Sequence, residues 1–304
     1  MSRAAGYDEV GGPGVLRVEE IADVDPGPGQ VAVRVRAAGV NPYDAKVRTG
    51  FLTSDAPFPR RIGGEFAGTV EAVGDGADYP DGAPVAVGDE VLGGAPGAIA
   101  ERVLAEASAL VRRPDALPVA VAGGLRTAGL TAVSCLATVP VGAGDTVLVG
   151  GASGAVGLLV CQLAVDAGAR VVGTAAPRNH DLLRSLGVEP VAYGDGLAGR
   201  VAAAGGATAV IDCHGRGALD AGVALGVPVE RMTAIAAYGA LAELGVGIVE
   251  RAARTPDNLA RLAEGLAEGR FVLPVAATFP LDEVADAFAA LETSHAPGKI
   301  VVLP

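Results

Sequence analysis

Three glycines stand at a spacing of three, Gly151, Gly154 and Gly157, inside the stretch VGGASGAVG. An apolar run precedes them, TVLVG (146–150), and an apolar stretch with helical character follows, AVGLLVCQLAVDAG (155–168). A glycine-rich turn between a buried strand and a helix is suited to holding a pyrophosphate. Gly151 allows the tight turn. Gly154 lets the backbone approach the phosphates, because a Cβ there would intervene. Gly157 lets the helix pack against the strand. The helix start offers free N–H groups and a partial positive charge, so Gly151, Ser153, Gly154, Ala155 and Val156 are expected at the phosphates. The spacing GxxGxxG is a variant of the better-known GxGxxG, and a close-packed turn with no ligand is the plain alternative.

The next strand narrows the cofactor. A site for NADH usually ends its second strand in an acid that grips the ribose 2′-hydroxyl. Here that end reads VVGTAAPRN, with no acid from Val171 to Asn179 but with Thr174 and Arg178. A carboxylate would repel a 2′-phosphate, whereas a hydroxyl and a guanidinium bind it. NADPH is therefore expected over NADH. Arg178 as a solvated charge is the plain alternative, although a cation at a helix start opposes the helix dipole.

These residues need a scaffold. The 304 residues suffice for one large domain or two ordinary ones. Residues 1 to about 115 read as β-rich: QVAVRVRAAGV (30–40) alternates with period 2, and GEFAGTVEAVG (64–74) and GDEVLGG (88–94) are short strands between glycine-rich turns. From about 119 the period changes. AGGLRTAGLTAVSCLATV (122–139) reads as one helix, ARVVGT (169–174) as a strand and RNHDLLRSLG (178–187) as a helix. PVAY (190–193), TAVIDC (208–213) and RMTAIAAY (231–238) supply further strands. Strands alternating with helices imply a parallel doubly wound sheet, and the fold class expected is α/β. Thr255 caps a helix over 255–269, and the tail reads strand, helix, strand.

The net charge of −12 speaks against a nucleic-acid surface. No apolar run reaches the roughly 18 residues of a membrane span, and the start lacks the apolar region of a signal peptide. A cytoplasmic protein is expected, with no membrane or nucleic-acid partner. Cys135, Cys161 and Cys213 form no CxxC pair and give no disulfide framework. Cys213 and His214 are adjacent and would face opposite ways on a strand. Of the 23 basic residues all but Lys46 and Lys299 are arginine, so each lysine stands out against the bias of the composition.

The segments VLRVEE, PGPGQVAVRVRAAGVNPYDAKVRTG, GGEFAGTVEAVG, AGLTA, GGASGAVG and GKIVVLP, in this order, resemble the zinc-independent quinone oxidoreductase branch of the medium-chain dehydrogenase/reductase superfamily. The resemblance implies a GroES-like β-barrel catalytic domain over 1–118, completed by 271–304, and a Rossmann NADPH-binding domain over 119–270, with the active site in the cleft between them. Zinc-dependent relatives carry a Cys where this chain has Asn41 and a His where it has Gly64, before Glu65, so no metal is expected. Without a Lewis acid, alcohol oxidation is the poorer reading. Hydride addition to a quinone or enone is easier, because charge spreads to an oxygen that hydrogen bonds stabilise.

The resemblance also implies roles. Asn41 lies beside the nicotinamide and substrate, with Tyr43, Asp44 and Lys46 on the same segment. Tyr43 or Lys46 is a candidate proton donor, water is another, and rim polarity is the alternative for both side chains. Thr127 and Thr131 face the cofactor. Tyr193 lies near the 2′-phosphate, with core packing as its alternative. Ala236 and Tyr238 in IAAY meet the carboxamide, and Lys299 lies near the cofactor, with a strand-edge lysine as the alternative. GVGIVE (245–250) is a candidate edge strand that would pair with a second copy, giving a homodimer. Two other readings stand beside it: a cofactor-retaining lyase or cyclase in the same cleft, and a non-catalytic NADPH sensor or RNA-binding form, against which the acidic charge speaks.

Overall fold

The computed structural model describes residues 1–247, 249–293 and 296–304, and of Leu241 the backbone only. The N-terminal part is built on β1 (Ser2–Tyr7), β2 (Arg17–Ile21) and the eleven-residue β3 (Gln30–Val40). After β3 come a short helix α1 (Pro42–Arg48), β4 (Arg60–Arg61), β5 (Phe66–Val73), β6 (Glu90–Gly93), β7 (Arg102–Glu106) and β8 (Val111–Arg112). From the other end of the chain come β14 (Val275–Pro280), α10 (Val284–Thr293) and β15 (Lys299–Leu303). The sheet order is β14-β15-β3-β5-β6-β8, with β7 also on β3. Antiparallel pairing of Ile300 with Val40 and of Val302 with Ala38 joins the two ends of the chain. That register sets Lys299 beside the end of β3.

Between these parts lie α2 (Val119–Gly123), α3 (Leu125–Thr138), β9 (Thr146–Gly150), α4 (Ala155–Asp166), β10 (Arg170–Thr174), α5 (His180–Ser185) and β11 (Val188–Val191). They are followed by α6 (Leu197–Ala203), β12 (Ala209–Asp212), α7 (Gly217–Ala224), β13 (Met232–Ala234), α8 (Tyr238–Leu244) and α9 (Pro256–Ala267). The five strands are all parallel in the order β11-β10-β9-β12-β13, which is the doubly wound arrangement. Alternate residues of each strand feed two layers. Val147, Val149, Val171 and Ile211 pack with Leu158, Leu159 and Leu183 on one face, and Leu148, Val172 and Val210 with Val201 and Leu219 on the other. Both faces are covered, hence the unbroken apolar strands.

Several local expectations change. The single helix over 122–139 is two helices, broken at Gly124, where a Cβ would lie 2.9 Å from Lys299 Cε. The strand at 190–193 starts two residues earlier, because Val188 pairs with Val171. The run RMTAIAAY contributes only three residues to β13 before the chain turns into α8. Within GVGIVE, Gly247 makes an isolated bridge to Thr233, and Ile248 lies outside the described residues. The Thr255 cap is present: its hydroxyl accepts the Asn258 N–H at 3.3 Å.

Candidate active site

The glycine turn joins β9 to α4. Gly151 has φ +64°, and a Cβ there would lie 2.7 Å from His214 Cβ. At Gly157 a Cβ would overlap the Gly151 carbonyl and come within 2.9 Å of Ala152 Cα. At Gly154 it would meet, among the described residues, only the Gly151 oxygen, at 3.4 Å. The described residues therefore leave the outer side of the turn open, where Ser153, Ala155 and Val156 are half-buried. Gly154 also forms a parallel bridge with Gly298.

Thr174 fastens this turn from the neighbouring strand. It is buried, its Oγ1 accepts the Gly151 N–H at 3.0 Å, and its carbonyl accepts the Ala152 N–H at 2.9 Å. Its hydroxyl thus accepts from the glycine turn with its own hydrogen still free to donate, and Thr174 also lines the cavity beside that turn. Asn179 Nδ2 donates to Ser153 Oγ at 3.1 Å and draws the segment after β10 against the turn. Arg178 on that segment is exposed, and no ion pair involves it among the described residues. A cavity of about 450 Å³ opens beside the turn, lined by Gly151, Thr174, Tyr193, His214 and Arg216 among others. Tyr193 is 60 % exposed at its edge, which excludes core packing for it. Asp212 shapes the far wall: Oδ1 accepts the His214 and Gly215 N–H groups and Oδ2 that of Ala218. Sequence reasoning passed over Asp212 and His214 at this wall; the available signal was an acid ending the fourth parallel strand.

A second constellation forms where β3 ends. Asn41 precedes α1, and both polar atoms of its side chain are engaged. Nδ2 donates to Glu65 Oε1 at 2.8 Å, and Oδ1 accepts from Lys299 Nζ at 2.7 Å. Glu65 is fully buried; its Oε1 also accepts from Lys299 Nζ at 2.8 Å, and its Oε2 accepts the Thr127 N–H at 2.7 Å. That N–H lies in the first turn of α3, where helices leave donors unpaired and favour negative charge. Lys299, 3 % exposed, also donates to the Val40 carbonyl at 3.2 Å. An ammonium has three hydrogens, so none remains for a cofactor, and the expected cofactor contact of Lys299 is corrected to this internal role. Gly39 makes room: a Cβ there would lie 2.7 Å from Glu65 Cδ. Thr131 is buried one turn along α3 from Thr127. Glu65 was readable only as the remnant of a GGE triplet, although an acid before an apolar strand already called for a buried partner.

Asp44 is 9 % exposed, and its Oδ2 accepts the Asn41 N–H at 3.1 Å. Burial, and then the negative charge of Glu65, push its carboxyl up to about 7, against the opposing pull of Lys299 and Asn41. An unfolded Asp titrates near pH 4, about 3.9. Between those values the folded protein holds the extra proton, so stability falls as pH rises through the window. Asp44→Asn keeps an acceptor for the Asn41 N–H and removes this loss. Its melting temperature is expected to exceed the parent's at pH 8 and to converge with it by pH 4; a pH-independent difference in thermal melts would refute the assignment.

Tyr43 and Lys46 sit apart from this buried group. Tyr43 is 62 % exposed on the first turn of α1. Lys46 is half-buried, and its Nζ lies 5.0 Å from the centroid of the Tyr238 ring. Burial lowers its ammonium pKa. Phe51 approaches the same ring at 6.1 Å, so Tyr238 meets the α1 segment across the cleft. Ala236 is half-buried in the turn before α8.

The acceptors that converge are a backbone carbonyl, a carboxamide and one carboxylate, and a lysine ammonium already satisfies them. Zinc sites use thiolate, imidazole and carboxylate, and no group of three such side chains is assembled among the described residues. These residues do not fit zinc.

The chain matches the family described as "Alcohol dehydrogenase GroES-like domain" over 27–115 and that described as "Zinc-binding dehydrogenase" over 186–302. It is similar to an Arabidopsis thaliana protein named NADPH-dependent alkenal/one oxidoreductase, chloroplastic, at 34% identity over 98% of this chain and 78% of that protein. It is similar to the Homo sapiens quinone oxidoreductase at 36% identity over 58% of this chain and 53% of that protein. The solved structure of mycobacterial Rv1454c complexed with NADPH superimposes with a TM-score of 0.86 at 32% identity, covering 100% of both chains.

Proposed function

The chain belongs to the quinone oxidoreductase-like branch of the medium-chain dehydrogenase/reductase superfamily, and from that membership we propose that it is an NADPH-dependent reductase of quinones and α,β-unsaturated ketones. The observation that carries this reading is the bridge from the glycine turn at Gly154 to Gly298, whose neighbour Lys299 holds the Asn41 carboxamide. A phosphate-holding turn is thereby tied to a hydrogen-bond donor in the cleft.

Bound NADPH supplies a hydride to the conjugated acceptor. The chain's own part is to bind, orient and stabilise. Gly151, Ser153, Gly154, Ala155 and Val156 hold the pyrophosphate; Arg178 and Tyr193 take the 2′-phosphate. Thr127, Thr131, Ala236 and Tyr238 border the nicotinamide end. The second Nδ2 hydrogen of Asn41, not used by Glu65, would be the one to stabilise the charge that develops on the substrate oxygen, where a fixed donor is worth most. Tyr43, Lys46 or water at the rim returns the proton.

The test is NADPH absorbance followed with a panel of quinones and enones, with steady consumption expected for at least one. Substrate conversion without loss of NADPH would indicate a lyase or cyclase instead, and binding without turnover a sensor. Arg178→Ala is expected to weaken NADPH binding by about tenfold or more, through loss of a charge-assisted contact, and to leave NADH binding within twofold. Equal losses would show that Arg178 does not read the phosphate.

No helix among the described residues is long and apolar enough to cross a membrane. The proposed location is the cytoplasm, in keeping with three free cysteines. The proposed assembly is a homodimer. Gly247 bridges Thr233 of β13 at the edge of the parallel sheet, where the 245–250 segment would pair with that of a second copy, and sedimentation of a monomer at micromolar concentration would refute it.

A further inference from the structure

We infer that Lys299 is a positioning residue, a built-in cation that fixes which way the Asn41 carboxamide faces and ties that orientation to the cofactor turn. The inference rests on the reductase reading for its catalytic consequence, but its structural part stands by itself.

A carboxamide has two orientations of nearly the same shape and opposite hydrogen-bonding sense. At Asn41 the neighbours choose between them. Lys299 Nζ, which can only donate, meets Oδ1 at 2.7 Å, and the Glu65 carboxylate, which can only accept, meets Nδ2 at 2.8 Å. Turning the amide over would set its NH₂ against an ammonium and its oxygen against a carboxylate. The remaining Nδ2 hydrogen is therefore the one donor the side chain has left, and its direction is set.

The fold is arranged to admit this lysine. The break between α2 and α3 falls at Gly124, where a side chain would press on Lys299 Cε at 2.9 Å. Gly298, with φ +96°, has its Cβ direction blocked by the backbone of Pro274. Gly298 also bridges Gly154 of the glycine turn, so a single peptide step separates the cofactor cradle from the cation. Three acceptors converge on Nζ, at 2.7, 2.8 and 3.2 Å, which suits the three-fold donor pattern of an ammonium and not the planar fork of a guanidinium. In a chain whose basic residues are otherwise arginine apart from Lys46, that difference accounts for a lysine here.

The test is Lys299→Ala, which removes the atoms of propylamine, assayed with and without propylammonium. The kcat is expected to fall about 100-fold, the order found when a donor to a developing oxyanion is lost, with NADPH affinity, read by nucleotide fluorescence, changed by less than about threefold on the same reasoning. Propylammonium is expected to restore kcat saturably and to raise the melting temperature of the variant but not of the parent, whereas tetramethylammonium does neither. Lys299→Arg is expected not to rescue. If Lys299→Ala does not fold, the double variant Lys299→Met, Glu65→Gln removes both charges together and is expected to fold with low kcat. The inference is overturned if either variant keeps kcat close to the parent's, if the loss lies in NADPH affinity alone, or if propylammonium leaves the melting temperature unmoved. Should the parent reduce no quinone or enone, the reductase reading fails while the melting series still decides the role of the cation.

Discussion

Glu65→Ala is expected to lose about 3–5 kcal/mol of folding stability, the range seen when one partner of a buried ion pair is removed. The magnitude follows from what the carboxylate serves. Glu65 is 0 % exposed, and its two oxygens take up Asn41 Nδ2, Lys299 Nζ and the Thr127 N–H. Alanine would leave a buried ammonium without its counter-charge and two N–H donors without acceptors, each unmet donor costing about 1–3 kcal/mol. Glu65→Gln keeps an acceptor for one donor but loses the charge, so a smaller loss is expected, and Lys299→Met made together with it should recover part of the stability. Urea unfolding measures all three. A Glu65→Ala protein within about 1 kcal/mol of the parent, well below the buried-pair range, would mean that the cluster is not the anchor described.

Gly157→Ala and Gly154→Ala are expected to separate packing from binding at one turn. The Cβ at Gly157 would overlap the Gly151 carbonyl and crowd Ala152 Cα at 2.9 Å. Those are backbone atoms that cannot swing aside as a side-chain end does, so α4 must lift off the turn. An overpacked core position costs about 1–3 kcal/mol, and the N–H groups of the helix start lose their alignment, so NADPH binding falls as well. Among the described residues, a Cβ at Gly154 would meet only the Gly151 oxygen, at 3.4 Å. Alanine fits the fold there but projects into the space assigned to the phosphates. Gly154→Ala is expected to melt with the parent yet bind NADPH at least tenfold more weakly, as loss of a charge-assisted contact would give. Thermal melts and fluorescence titration of NADPH check the pair. A Gly154→Ala protein with parental affinity would sink the assignment of this turn to the cofactor.

The features legible in the residues alone are local. The glycine spacing at 151, 154 and 157, the period-2 strand at 30–40, the apolar parallel strands and the Thr255 cap could all be read, because each depends on neighbours a few residues away. The order of the family's segments carried the pairing of a barrel with a doubly wound sheet. The roles of the polar residues came from long-range packing. Lys299 is 234 residues from Glu65 and 258 from Asn41, so no periodicity could reveal that it faces them and not the cofactor. The same long-range packing broke the helix at Gly124, turned Thr174 onto Gly151, placed His214 against that turn and raised Asp44 towards neutrality. Backbone preference is set by adjacent residues, whereas burial and the choice of a charge's partner are set by whatever chain the fold brings alongside.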